Sequence, residues 1–96
     1  MLSINISSPR QLKKQIALQA KKKRLEKNLS RETLSIKSSV PTSTIKRFET
    51  IGDIGLDALL RIALVLDSLN EFSQLFAMNV PTTLFEPNIE RQRGRE

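Results

Sequence analysis

The chain has 96 residues, a hydrophobic fraction of 39% and a formal net charge of +6. This length suits one small domain with tails, and that fraction suits one modest core. With no Cys, His, Trp or Tyr, the sequence excludes disulfides, thiolate or imidazole zinc sites and the commonest general base.

The charge is unevenly placed. Residues 1–50 hold twelve Lys/Arg against three Asp/Glu, and residues 51–96 hold four against seven. The basic half is expected to face a polyanion, the plainer alternative being a solvated surface. No apolar run approaches the roughly 20 residues of a membrane span. The first residues lack both the charged start and the long apolar stretch of a signal peptide. A soluble cytoplasmic protein without membrane contact is expected.

Residues 1–7 alternate Leu2, Ile4 and Ile6 with polar neighbours. That period of two predicts an extended segment, which either packs on the domain or pairs with another chain. Ser8-Pro9 reads as a helix start, with Ser as N-cap and Pro in the first turn. The first helix is expected to run to about Lys27, burying Leu12, Ile16 and Ala20. Arg24 continues that apolar series, so its charge needs a buried or half-buried partner. Lys21 to Lys23 spread around the helix, either solvated or meeting phosphate.

Asn28 ends this helix, since Asn tolerates the left-handed conformation of a C-cap. Leu29 anchors the turn, and Ser30 caps a short helix over Arg31–Ser38 that buries Leu34. Ser38-Ser39 breaks it, and Pro41 suits the start of a third helix over Thr42–Thr50, with Ile45 and Phe48 inward. Gly52 and Gly55 punctuate a loop. A fourth helix is expected over Leu56–Leu66 and a fifth over Asn70–Ala77. Pro81 and Pro87 bound a segment containing Leu84 and Phe85, and the polar end is expected to be mobile. The chain thus divides into an extended segment at 1–7, a helical domain at 8–78 and a tail at 79–96.

The stretch LSRETLSIKSSVPTSTIKRFE at residues 29–49 resembles the helix-turn-helix of the Xre/lambda-repressor-like family. Leu29, Ser30, Leu34, Val40, Thr44, Ile45 and Glu49 stand at the family's characteristic positions. Gly52, Leu56, Leu59, Ile62, Ala63 and Leu66 are similar to its fourth helix. Three residues depart from the pattern: Ser35 stands for a small Ala, Ser39 for the Gly of the turn, and Pro41 for a capping Ser. The opening Ser8-Pro9-x-Gln11-Leu12 and the Phe72-x-x-Leu75-Phe76 ending look like those of HipB-type antitoxins.

The resemblance implies an all-α, five-helix, lambda-repressor-like domain that binds palindromic double-stranded DNA. In such domains the second helix of the unit enters the major groove with its N-terminal residues at the base edges. Thr42, Ser43, Thr44 and Arg47 are then the base-reading candidates, Arg47 being able to fork onto guanine. Arg31 at a helix N-terminus, Lys37 and Lys46 are the phosphate candidates. The family often joins the positions of Arg24 and Glu49 in an ion pair. Surplus apolar surface at Leu64, Leu69, Phe72, Leu75 and Phe76 is expected to close a homodimer, or otherwise to complete the monomer core.

Two functions compete. One is a transcriptional repressor acting alone. The other is an antitoxin that neutralises a HipA-like kinase and represses its own operon, for which the apolar ends offer docking segments. An enzyme is the weakest option. Asp53, Asp57 and Asp67 form no paired-carboxylate pattern, and the first two are expected to favour the start of the fourth helix through its dipole. No cofactor is expected.

Overall fold

A computed structural model describes residues 8–77. Five helices follow one another: α1 Pro9–Glu26, α2 Arg31–Ser38, α3 Thr42–Ile51, α4 Leu56–Val65 and α5 Leu69–Phe72. The architecture is all-α, with no strand among the described residues. The apolar segments at Leu2–Ile6 and Leu84-Phe85 lie outside the described residues, as does the polar end. Among the described residues no helix is long and apolar enough to cross a membrane.

Local chemistry sets the boundaries. The Ser8 hydroxyl accepts from the amide of Gln11, and Pro9 follows as the first helical residue. At the other end of α1, Asn28 takes a left-handed φ of 57°. Its amide donates to the Leu25 carbonyl at 2.9 Å, and the Leu29 amide donates to that of Arg24 at 3.0 Å. This paired return is the Schellman arrangement, which satisfies carbonyls the helix leaves open. Asp67 ends α4 in the same way, with φ 60° and the Ser68 amide donating to the Ala63 carbonyl at 2.8 Å. Ser30 caps α2 by accepting from the Thr33 amide.

The α2–α3 turn is built on serines. Ser39 adopts φ 62°, so it takes the left-handed conformation for which glycine is the easier residue. The Ser35 hydroxyl donates to the Val40 carbonyl, and the Ser38 hydroxyl donates to that of Leu34 while accepting from the Val40 amide. Pro41 sits at the N-cap of α3, one position earlier than a first-turn proline, and makes no side-chain cap bond. The hydroxyl at Ser35 thus supplies a tie across a turn that the proline cannot cap.

The core gathers Ala17, Leu34, Val40, Ile45, Phe48, Ile62 and Leu66. α1 packs on α3, α2 on α3 and α4, and α4 on α5. The expected apolar face of α1 needs correction. Ala17 is its buried apolar residue, Ile16 and Ala20 are half-buried, and Leu12 is exposed. The deep stripe runs from Ala17 to Arg24, two turns apart, and Leu12 lies more than a turn before it. The fifth helix is also shorter than expected, four residues instead of eight. Past Phe72 the chain goes through turns, and Phe76 takes φ 63°.

Candidate nucleic-acid interface

The outer face of α3 follows from its pattern. Ile45 and Phe48 are buried beneath it. Ser43, Lys46, Arg47 and Thr50 recur at helical spacing and are all exposed, forming a stripe of hydroxyls and cations. Thr42 and Thr44 flank the stripe and are half-buried. The Thr50 hydroxyl donates to the Lys46 carbonyl at 2.7 Å. Lys37 is exposed on the last turn of α2.

What holds α3 in place is an ion cluster beneath this face. Arg24 and Glu49 are 7% and 3% exposed at their side chains. Arg24 Nε donates to Glu49 Oε2 at 2.7 Å, and Nη2 donates to Oε1 at 3.1 Å. Nη1 donates to the Leu29 carbonyl at 2.8 Å. The guanidinium therefore grips a carboxylate with two parallel bonds and ties the α1–α2 turn with a third. Arg31 Nε adds a bond to Glu49 Oε1 at 2.9 Å. One carboxylate thus joins α1, α2 and α3. Burial alone would raise the Glu49 pKa, but the hydrogen bonds from Arg24 and then Arg31 outweigh it and hold the carboxyl below its ordinary value.

Arg31, expected as a phosphate contact, therefore also has a partner within the fold. The residue is first a partner of Glu49, with about a third of its side chain exposed. Both roles fit one residue only if the cluster keeps surplus positive charge, and it does: two arginines face one carboxylate.

A second cluster lies just past the C-terminal end of α3. Gly52 closes the helix with φ 83°. A Cβ there would stand 3.2 Å from the backbone carbonyl of Lys13 on α1, so only glycine suits both the angle and the approach. The turn brings Asp53 back over the helix. Its Oδ1 lies 2.8 Å from Lys13 Nζ, and its Oδ2 accepts from Arg47 Nη2 at 3.3 Å. Hydrogen bonding and charge from Lys13, then the charge of Arg47, lower the Asp53 pKa. Asp53 therefore serves a side-chain cluster, which corrects its expected role at the α4 dipole. Asp57 pairs with Arg61 one turn on, at 3.0 Å. Asp67 pairs with Lys27 at 2.6 Å, joining the ends of α1 and α4.

No protein-family model, curated protein or solved structure matches this chain.

Of the sequence-predicted residues, the fold brings Ser43, Lys46 and Arg47 onto one exposed stripe, with Thr42 and Thr44 at its edge. Arg31 and Lys37 lie on α2. The apolar residues assigned to a dimer are separate from this face. Leu64, Leu69, Leu75 and Phe76 are exposed, with Phe76 fully so, and Phe72 is half-buried. Among the described residues none belongs to the core cluster. Phe72 and Leu75 line an apolar groove of about 200 Å³ with Ile16, Leu59, Ile62 and Leu66.

Sequence reasoning missed Lys13 and the tie that joins Asp53 to Arg47. Asp53 is six residues past Arg47, outside the three-to-four spacing that joins side chains along a helix. Gly52 was the available signal, because a left-handed residue after a helix turns the next side chain back toward it.

Proposed function

We propose that this protein is a sequence-specific DNA-binding transcriptional repressor of the Xre type. It acts as a homodimer on a palindromic operator, with α2–turn–α3 as its reading unit. The observation that carries this reading is the outer stripe of α3. Ser43, Lys46 and Arg47 are presented together at the helical face opposite Ile45 and Phe48, within the 29–49 motif. Short hydroxyls and a long guanidinium are base-edge chemistry, and cations on the neighbouring α2 suit phosphate.

In this mechanism Arg47 reads a base, Thr42, Ser43 and Thr44 make shorter contacts, and Arg31, Lys37 and Lys46 take phosphates. Arg24 and Glu49 touch no base. They fix the angle at which α3 meets the groove. The dimer contact uses Leu64, Leu69, Phe72, Leu75 and Phe76; all but the half-buried Phe72 are exposed, which favours a protein partner. Two copies double a site that one reading helix keeps short.

The likeness of the opening and of the α5 region to HipB-type antitoxins extends the proposal: the protein also binds a HipA-like kinase toxin and represses the operon of both. A stand-alone regulator is the alternative. A kinase-like reading frame beside the gene favours the antitoxin, and its absence favours the alternative.

A salt titration of binding to the duplex upstream of its own gene tests the DNA reading. If each of two copies neutralises about three phosphates, log K falls with log salt at a slope near −5. Binding that does not depend on salt would refute it.

A further inference from the structure

We infer that Asp53 is a specificity-determining residue of the reading surface, holding the Arg47 guanidinium from behind while Lys13 holds Asp53. The inference rests on the DNA-binding reading of α3 and deepens it.

An isolated arginine side chain has four rotatable bonds and loses its freedom when it meets a base. Arg47 is 64% exposed, so packing does little to fix it. Asp53 is the one acidic partner that it has among the described residues. The contact is long, 3.3 Å through one N–H of Nη2, whereas Lys13 lies on the other carboxylate oxygen at 2.8 Å. This asymmetry decides between holding and sequestering. The shorter Lys13 contact largely answers the carboxylate charge, so Asp53 aims Arg47 without capturing it. One of the five guanidinium N–H groups is engaged, and four stay for a base.

The anchor itself is rigid on one side. Gly52 fits against the Lys13 backbone and places Asp53 next to α1. The three charged groups therefore join α1, the end of α3 and the loop before α4. The cluster keeps a net positive charge, two cations on one carboxylate, and so does not repel a phosphate backbone.

The alternatives predict different signs. If Asp53 were only an acidic side chain near DNA, removing its charge would strengthen binding to any duplex and change no base preference. If it were only structural, its loss would weaken binding everywhere. A positioning residue gives a third pattern: equal or stronger binding to random duplex, with discrimination lost at one base pair.

The test uses the full chain and a pool of duplexes with a randomised centre. The sequence enriched by the wild type is then titrated against its single-base variants at fixed salt, alongside R47A, D53N and K13M. Arg47→Ala should erase discrimination at one base pair per half-site, where a forked contact gives about tenfold or more. Asp53→Asn should cut discrimination at that same pair at least threefold, leave the other pairs unchanged, and bind random duplex no more weakly than the wild type. Lys13→Met should shift the same pair in the same direction.

Full discrimination in D53N overturns the proposal, as does an equal loss at every pair or a failure of D53N to fold. If the wild type enriches a sequence but R47A leaves every pair unchanged, the assignment of Arg47 falls and that of Asp53 with it. If the wild type enriches nothing, the DNA reading itself falls.

Discussion

Two ion clusters flank α3, and both have the same composition: one carboxylate between two cations, one of them from α1. Glu49 takes Arg24 and Arg31, and Asp53 takes Lys13 and Arg47. Their surroundings differ. The Glu49 side chain is 3% exposed and that of Asp53 is 44% exposed. A buried charge cannot fall back on water when its partner is removed, so the first cluster is bound into the architecture. An exposed one is screened and exchanges partners easily, so the second is suited to meeting something else. Burial, more than residue type, separates the arginine that shapes the domain from the arginine proposed to read DNA.

The largest expected effect tests the buried cluster. Glu49→Ala leaves the Arg24 charge buried with only the Leu29 carbonyl, and should cost about 3–5 kcal/mol. Arg24→Ala should sit at the lower end of that range, because Arg31 still answers Glu49. Urea denaturation measures both. Equal stability to the wild type in either variant would remove the basis for the comparison.

Acid should sharpen it. The folded-state pKa of Glu49 lies below its ordinary value of 4.5. Its stabilising contribution is therefore complete above about pH 4.5 and is lost as pH falls through the folded-state value. High salt suppresses the contributions of the exposed Asp53 and Asp67 pairs. Under those conditions the wild type should lose more stability than E49Q between neutral and acidic pH. Parallel losses in the two proteins would contradict the account.

Smaller changes probe two left-handed residues on either side of α3. Gly52→Ala meets both a left-handed φ and the Lys13 carbonyl, and should destabilise by about 2 kcal/mol. Ser39→Gly relieves the left-handed residue of the α2–α3 turn and should stabilise by about 0.5–1 kcal/mol, net of glycine's greater chain entropy. Thermal melts resolve both signs. The smallest expected effect is at Asp53: D53N should melt with the wild type, as an exposed pair implies. A clear loss there would move Asp53 into the class of Glu49.

Much of the fold could be read in the sequence because each helix carries its own punctuation. Ser8-Pro9, Asn28, Ser30 and Gly52 are local signals, and each sits at or next to a helix end. Arg24 was legible for a different reason, since a charge in an apolar series must find a partner. Leu12 was misleading because periodicity gives the direction of a helical face, not where along the helix the core begins. The fifth helix was overextended for a similar reason. Apolar residues at Leu75 and Phe76 continued the pattern, yet they face solvent after the helix has ended. Arg31 and Asp53 lie near helix starts, which suggests a local electrostatic role, whereas both are held by side chains from other elements. Such contacts depend on how helices are placed against one another, which no short window encodes.

The proposed α2–turn–α3 unit reads DNA as a pair. Footprinting the wild-type protein on the duplex upstream of its own gene addresses it most directly. Two protected half-sites related by a two-fold axis are expected, with centres about one helical turn apart or a multiple of it. No protection at modest salt, or uniform protection without preferred sites, would contradict it.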